Sequence, residues 1–150
     1  MRVALMAGAA SSLLLVGAAS AETGRIAGVW LTENGDSKIR MSPCGKSYCG
    51  IVVWAKTNSL DEQNPDPALR KRSIVGMPLT KDMRATGDRG YAGSIYNPDN
   101  GKTYSVTMQV KGSSKLEVEG CVLGFLCGGE SWSRLPDETA SAEPVSGKGQ

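Results

Sequence analysis

Thr103-Tyr104-Ser105-Val106-Thr107-Met108-Gln109-Val110 alternates polar and apolar residues without a break. A period of two puts Tyr104, Val106, Met108 and Val110 on one face and Thr103, Ser105, Thr107 and Gln109 on the other, the pattern of a half-buried strand. The same period recurs on both sides of this stretch. In Lys115 to Gly120, Leu116 and Val118 oppose Lys115, Glu117 and Glu119; in Lys38 to Met41, Ile39 and Met41 oppose Lys38 and Arg40.

Turn residues separate these runs at short intervals. Asn34-Gly35 divides a strand around Val29 to Thr32 from Lys38 to Met41, and Asn97-Pro98-Asp99-Asn100-Gly101 divides Gly93 to Tyr96 from Lys102 to Val110. Both turns carry the Asn-Gly pair that tolerates positive φ in a tight hairpin. With Tyr48 through Trp54 and a last strand at Ser131 to Leu135, the pattern predicts seven to eight strands and no amphipathic helix of ordinary length. The fold class is all-β and antiparallel, either an up-and-down barrel or a sandwich.

Four cysteines fall in two close pairs, the first within Ser42-Pro43-Cys44-Gly45-Lys46-Ser47-Tyr48-Cys49-Gly50. A zinc site would need further thiolate or imidazole ligands at matching spacing, and the chain has no histidine. Neither pair has the Cys-x-x-Cys spacing of a dithiol redox centre. Structural disulfides remain, and they require an oxidising compartment. Four cysteines allow three connectivities; pairing Cys44 with Cys49 and Cys121 with Cys127 is favoured because local pairs need the least chain closure. Each pair would then staple the end of a hairpin.

The start of the chain supplies a route to such a compartment. A basic Met1-Arg2, an apolar run from Val3 to Ala19 and the small-x-small triplet Ala19-Ser20-Ala21 form a signal peptide over residues 1–21, with the mature chain starting at Glu22. No cysteine follows at the site of a lipid anchor, and no later run could span a membrane. The expected product is soluble and periplasmic or secreted. Of the 17 basic residues only Arg2 leaves with the peptide, so 16 face 15 acidic ones, and this balance offers no field to draw nucleic acid or an anionic membrane. The densest cluster, Arg70-Lys71-Arg72, reads as a solvated loop.

One domain is expected over residues 22–135, with a disordered tail over 136–150, where Ser, Ala, Gly and Glu predominate. Lys56 to Arg72 breaks the strand rhythm. It is too long and too polar for a hairpin turn, and segments of this kind are often lids or binding loops.

Gly28-Val29-Trp30, Cys49-Gly50-Ile51-Val52-Val53-Trp54, Leu60-Asp61-Glu62-Gln63-Asn64-Pro65, Gly93-Ser94-Ile95-Tyr96-Asn97-Pro98, Gly101-Lys102-Thr103-Tyr104 and Trp132-Ser133-Arg134-Leu135 occur in that order. As a set they resemble DUF2147, a family of exported bacterial proteins of uncharacterised function, over about Ala27 to Leu135. The resemblance carries no catalytic residue. Gly28-x-Trp30 with Arg134 also looks like the lipocalin arrangement, in which an arginine from the last strand stacks on a first-strand tryptophan and closes the barrel base. Closure makes the first and last strands neighbours, and a guanidinium over an indole is worth about 1 kcal/mol or more when desolvated. The resemblance therefore favours a lipocalin-like up-and-down barrel over a sandwich.

Without histidine there is no ordinary Ser-His or Cys-His nucleophile pair, so no catalytic residue, metal or cofactor is assigned and the chain is not read as an enzyme. Asp61, Asn64 and Pro65 are explained as turn formers, and Asp99-Asn100-Gly101 lacks the remaining ligands of a calcium loop. Two functions follow. In the first, the barrel encloses one small apolar or amphipathic ligand, with Lys56 to Arg72 as a lid and Trp54, Arg70, Tyr96 and Tyr104 as wall and mouth residues. In the second, side chains fill the barrel, which binds an envelope protein or cell-wall partner through its loops.

Overall fold

The computed structural model describes residues 25–122 and 126–136. The expected signal peptide and all of the expected tail beyond Pro136 lie outside the described residues. Eight antiparallel strands follow one another around a closed barrel: β1 (Gly28–Leu31), β2 (Ser37–Cys44), β3 (Ser47–Ala55), β4 (Pro78–Ala85), β5 (Gly90–Asn97), β6 (Lys102–Lys111), β7 (Lys115–Val122) and β8 (Leu126–Arg134). Among the described residues the one helical element is a single 3₁₀ turn, Pro67–Leu69, capped by Asp66, whose side chain accepts from the Ala68 amide. The fold is thus the all-β up-and-down barrel, not the sandwich.

Strand faces follow the alternation. Val106, Met108 and Val110 on β6 and Leu116 and Val118 on β7 are buried, and the intervening Ser105, Thr107, Glu117 and Glu119 are exposed. Directly opposed residues share a face, so Met108 meets Val118 inside while Thr107 meets Glu119 outside. Ile39 and Met41 on β2 and Trp30 on β1 complete the lining of the lower barrel with Ile26, Met83 and Tyr91.

One strand is absent from the sequence reading. β4 turns Thr80 and Met83 inward, three positions apart, because a register irregularity falls between Lys81 and Arg84 and Asp82 takes φ 53°. The extra residue breaks the period of two that would have marked the strand.

Both local disulfides form, Cys44–Cys49 across the β2–β3 turn and Cys121–Cys127 between directly opposed residues of β7 and β8. Reduction of each should cost about 2 kcal/mol, the value for loops this short. Thermal melts with and without reductant, run beside elemental analysis, check this; an unchanged melting temperature, or zinc released in stoichiometric amount, would refute the role of staples.

β1 and β8 close the barrel with Trp30 opposite Arg134 and Leu31 opposite Ser133. The Arg134 guanidinium carbon sits 4.1 Å from the centre of the Trp30 ring. Its nitrogens donate to the carbonyls of Ser113 at 2.8 Å, Ala27 at 2.6 Å and Arg25. The Trp30 indole donates to Ile26 O at 2.9 Å. Gly28 holds φ 128°, and a Cβ there would lie 2.6 Å from Arg134 Nη1. The glycine two residues before the tryptophan is therefore required on both counts: the backbone is in a region that side chains avoid, and the guanidinium occupies the space.

Candidate functional site: the mouth of the barrel

The antiparallel meander gives the barrel two unlike ends. At the base lie the entering segment Arg25–Ala27, the β2–β3 turn, the β4–β5 turn and the β6–β7 turn; at the mouth lie the β1–β2 turn, the long β3–β4 connection, the β5–β6 turn and the β7–β8 turn. Fully buried Trp30, Ile26, Met41, Met83 and Met108 fill the base. The upper half is hollow. A cavity of about 510 Å³ opens at the mouth over a floor and wall of Ile39, Val52, Met77, Ile95, Tyr104 and Trp132, with Asp36, Lys56, Asn97 and Asp99 among its polar lining groups. Such a volume falls within the range of small-molecule sites, which are mostly apolar with a few placed polar groups.

The β3–β4 connection is a folded element held by a buried carboxylate. Asp61 is fully buried; its Oδ2 accepts from Asn64 Nδ2 at 2.7 Å and pairs with Arg72 at 2.8 Å, and its Oδ1 accepts from the Tyr96 hydroxyl at 2.6 Å. An isolated Leu60–Ser73 bridge and the Asp61 N to Arg72 O bond draw the two ends of the segment together. Burial alone would raise the Asp61 pKa, but the hydrogen bonds from Tyr96, Asn64 and Arg72 and the Arg72 charge outweigh it and hold the carboxyl below its ordinary 3.8. Tyr96 is shifted upward by burial and by the Asp61 carboxylate it faces. The segment packs on the β5–β6 turn, where Gly101 at φ 69° meets the Gln63 carbonyl closely enough to leave no room for a Cβ. A smaller crevice of about 290 Å³ runs between this segment and β4 and β5, bounded by Pro65, Leu69, Leu79 and Tyr96.

These positions correct several expectations. Lys56 to Arg72 is not a structureless lid, and Arg70-Lys71-Arg72 is not simply a solvated run: Arg72 is bound to Asp61, and Arg70 Nε donates to Asn64 O at 2.8 Å. Arg70 therefore secures the segment and does not line the mouth cavity. Asn64 does form the turn expected of it, its Oδ1 accepting the Asp66 amide at 2.9 Å, but with Asp61 it is also the centre of a buried network. Trp54 is also outside the cavity lining. Ile39 pairs with Val52 but Lys38 pairs with Trp54, so Val53 is an extra residue in β3. This bulge reverses the alternation: Ala55 faces the cavity, and Trp54 lies with Lys38, whose ammonium is 5.1 Å from the ring centre. Tyr104 does line the cavity, with its hydroxyl accepting from Asn100 Nδ2 at 2.7 Å. Tyr96 borders both the mouth and the outer crevice, its hydroxyl engaged by Asp61.

Sequence reasoning missed Glu130. It stands opposite the buried Val118, hence on the inner face of β8, lines the mouth cavity and accepts the Trp132 indole N–H. The signal was available, since Glu130 is two residues before Trp132 and shares its face, but the strand expected to begin at Ser131 cut it off. Among the described residues one group, Glu119, Cys121 and Cys127, has metal-ligand atoms close together. Its sulfurs are joined in a disulfide and offer no thiolate.

Comparison with known proteins agrees with this geometry. Protein HP1028 from Helicobacter pylori, described as belonging to the lipocalin family, superposes with a TM-score of 0.69 at 26% identity, over 75% of this chain and 84% of its own. No curated protein sequence matches the chain. Residues 28–134 match the model of DUF2147, an uncharacterised protein family conserved in bacteria. With the Gly28-x-Trp30 and Arg134 closure inside that span, the chain belongs to the DUF2147 family and folds as a lipocalin-like barrel.

Proposed function

We propose that this protein is an exported, non-catalytic carrier that holds one small apolar or amphipathic molecule in the mouth of its barrel, with residues 22–135 as the working domain. The cavity of about 510 Å³ above a packed base carries the reading. Its apolar floor would bury the body of a ligand while the polar turns around it face water. The likeness to a protein described as lipocalin-family supports the same use of the fold. Two disulfides support folding in an oxidising compartment, the periplasm or the exterior. No described helix is long and apolar enough to cross a membrane. A barrel filled throughout, acting on a protein or cell-wall partner by its surface, accounts for the base but leaves the hollow upper half without a use.

Native mass spectrometry of protein taken from its own exported fraction tests this reading, with Ile95→Trp as the companion variant. Ile95 lines the cavity beside Tyr104, so a tryptophan there fills the space a ligand would occupy. The expected result is an added mass that disappears on denaturation and is lost or strongly reduced in Ile95→Trp. A bare wild-type mass, together with no uptake of the neutral fluorescent probe N-phenyl-1-naphthylamine, would overturn it.

A further inference from the structure

The carrier reading leaves the chemical class of the cargo open, and the charges of the mouth address it. Glu130 is an ionisable side chain lining the cavity from the inner face of a strand, where it stands directly opposite the buried Val118 and two residues before Trp132. Its Oε1 is held by the Trp132 indole N–H. That bond fixes the carboxylate beside the aromatic wall, and Oε2 has no partner among the described residues. The remaining charged groups of the lining are Asp36, Asp99 and Lys56, so carboxylates outnumber ammonium groups three to one and no arginine is present. Asp36 is further tied into its own turn by Thr32 and Asn34.

We propose, resting on the carrier reading, that the mouth selects amphipathic cations: a protonated or quaternary amine carried on an apolar body. The ammonium faces Glu130 with the Tyr104 ring on the same wall, and the hydrocarbon lies on the partly open Ile74, Leu79 and Ile95. A carboxylate and aromatic faces are the two environments that favour an ammonium in a partly dry site. A ligand with an anionic head of the same length would meet like charge on an apolar floor, which works against it.

Displacement of bound N-phenyl-1-naphthylamine by decylamine, decanoate and decanol separates the possibilities, because the three share a chain and differ in head-group charge. Decylamine is expected to displace the probe at about tenfold lower concentration than decanoate, a difference of about 1.4 kcal/mol. In Glu130→Gln, whose side-chain oxygen can still accept the indole N–H, the two concentrations should converge to within about threefold while the melting temperature stays near wild type. Equal displacement by amine and carboxylate, or a preference unchanged in a folded Glu130→Gln protein, overturns the cation selection and leaves the carrier reading standing. No probe bound and no displacement by any of the three overturns both.

Discussion

Trp30→Ala should lower the stability of the domain by roughly 3–5 kcal/mol, the cost of removing a large aromatic side chain from a packed interior. Three effects act together at this position. The indole is fully buried among Ile26 and the side chains of the base, so truncation leaves a void that neighbouring strands cannot close without breaking their ladders. The Ile26 carbonyl loses the donor 2.9 Å away. The Arg134 guanidinium loses the ring it covers, although its three carbonyl contacts to Arg25, Ala27 and Ser113 persist. Arg134→Ala should cost less, about 2 kcal/mol, since it removes charge-assisted hydrogen bonds and a cation–π contact without opening the core. Equilibrium urea unfolding of the two variants checks both. A loss under about 1 kcal/mol for Trp30→Ala would show that the base is closed by other contacts.

Asp61→Ala should be nearly as damaging, at roughly 3 kcal/mol, because it removes the acceptor on which Arg72, Asn64 and Tyr96 converge. Urea unfolding gives the magnitude, and limited proteolysis gives the location: new cleavage should appear between Lys56 and Arg72, the segment the carboxylate secures. The same group predicts a pH dependence. Its folded pKa is below the ordinary 3.8, so the unfolded chain binds the proton more readily and the stabilisation is present above that value. It is lost as pH falls through the lower folded pKa. Wild-type melting temperature should therefore drop below about pH 4 by an amount that Asp61→Asn does not share. If the two proteins lose stability in parallel over that window, the network is not what makes the fold acid-sensitive.

The parts of the molecule legible in the sequence are those set by neighbours in the chain. Alternation from Thr103 to Val110 and from Lys115 to Gly120 reports which face is buried, and the Asn-Gly turns and the two close cysteine pairs report which strands are joined. The first long-range contact to be read, Trp30 with Arg134, was readable only because a resemblance supplied it. What escaped depends on residues that break a period or on contacts made across the fold. β4 and the Trp54 orientation are hidden by one extra residue each, in β4 and at Val53, and a single insertion inverts every inference drawn beyond it. The Asp61 network joins positions up to 35 residues apart, and a polar segment looks the same in sequence whether its charges face water or one another. Glu130 was lost because the last strand was expected from Ser131, whereas β8 begins at Leu126.

The β1–β8 seam differs in kind from every other pairing in the sheet. All the others join consecutive strands, whereas the seam joins the ends of the domain, with the Arg134 side chain bonding a carbonyl 107 residues away. Pairing consecutive strands is a local search, but closing the ring requires the two ends of the sheet to meet, and the entropy of that encounter is met only when the rest of the sheet already holds them near each other. The seam therefore closes the longest loop of any pairing in the sheet, and until it forms both β1 and β8 present unpaired edges that could add a strand from another chain.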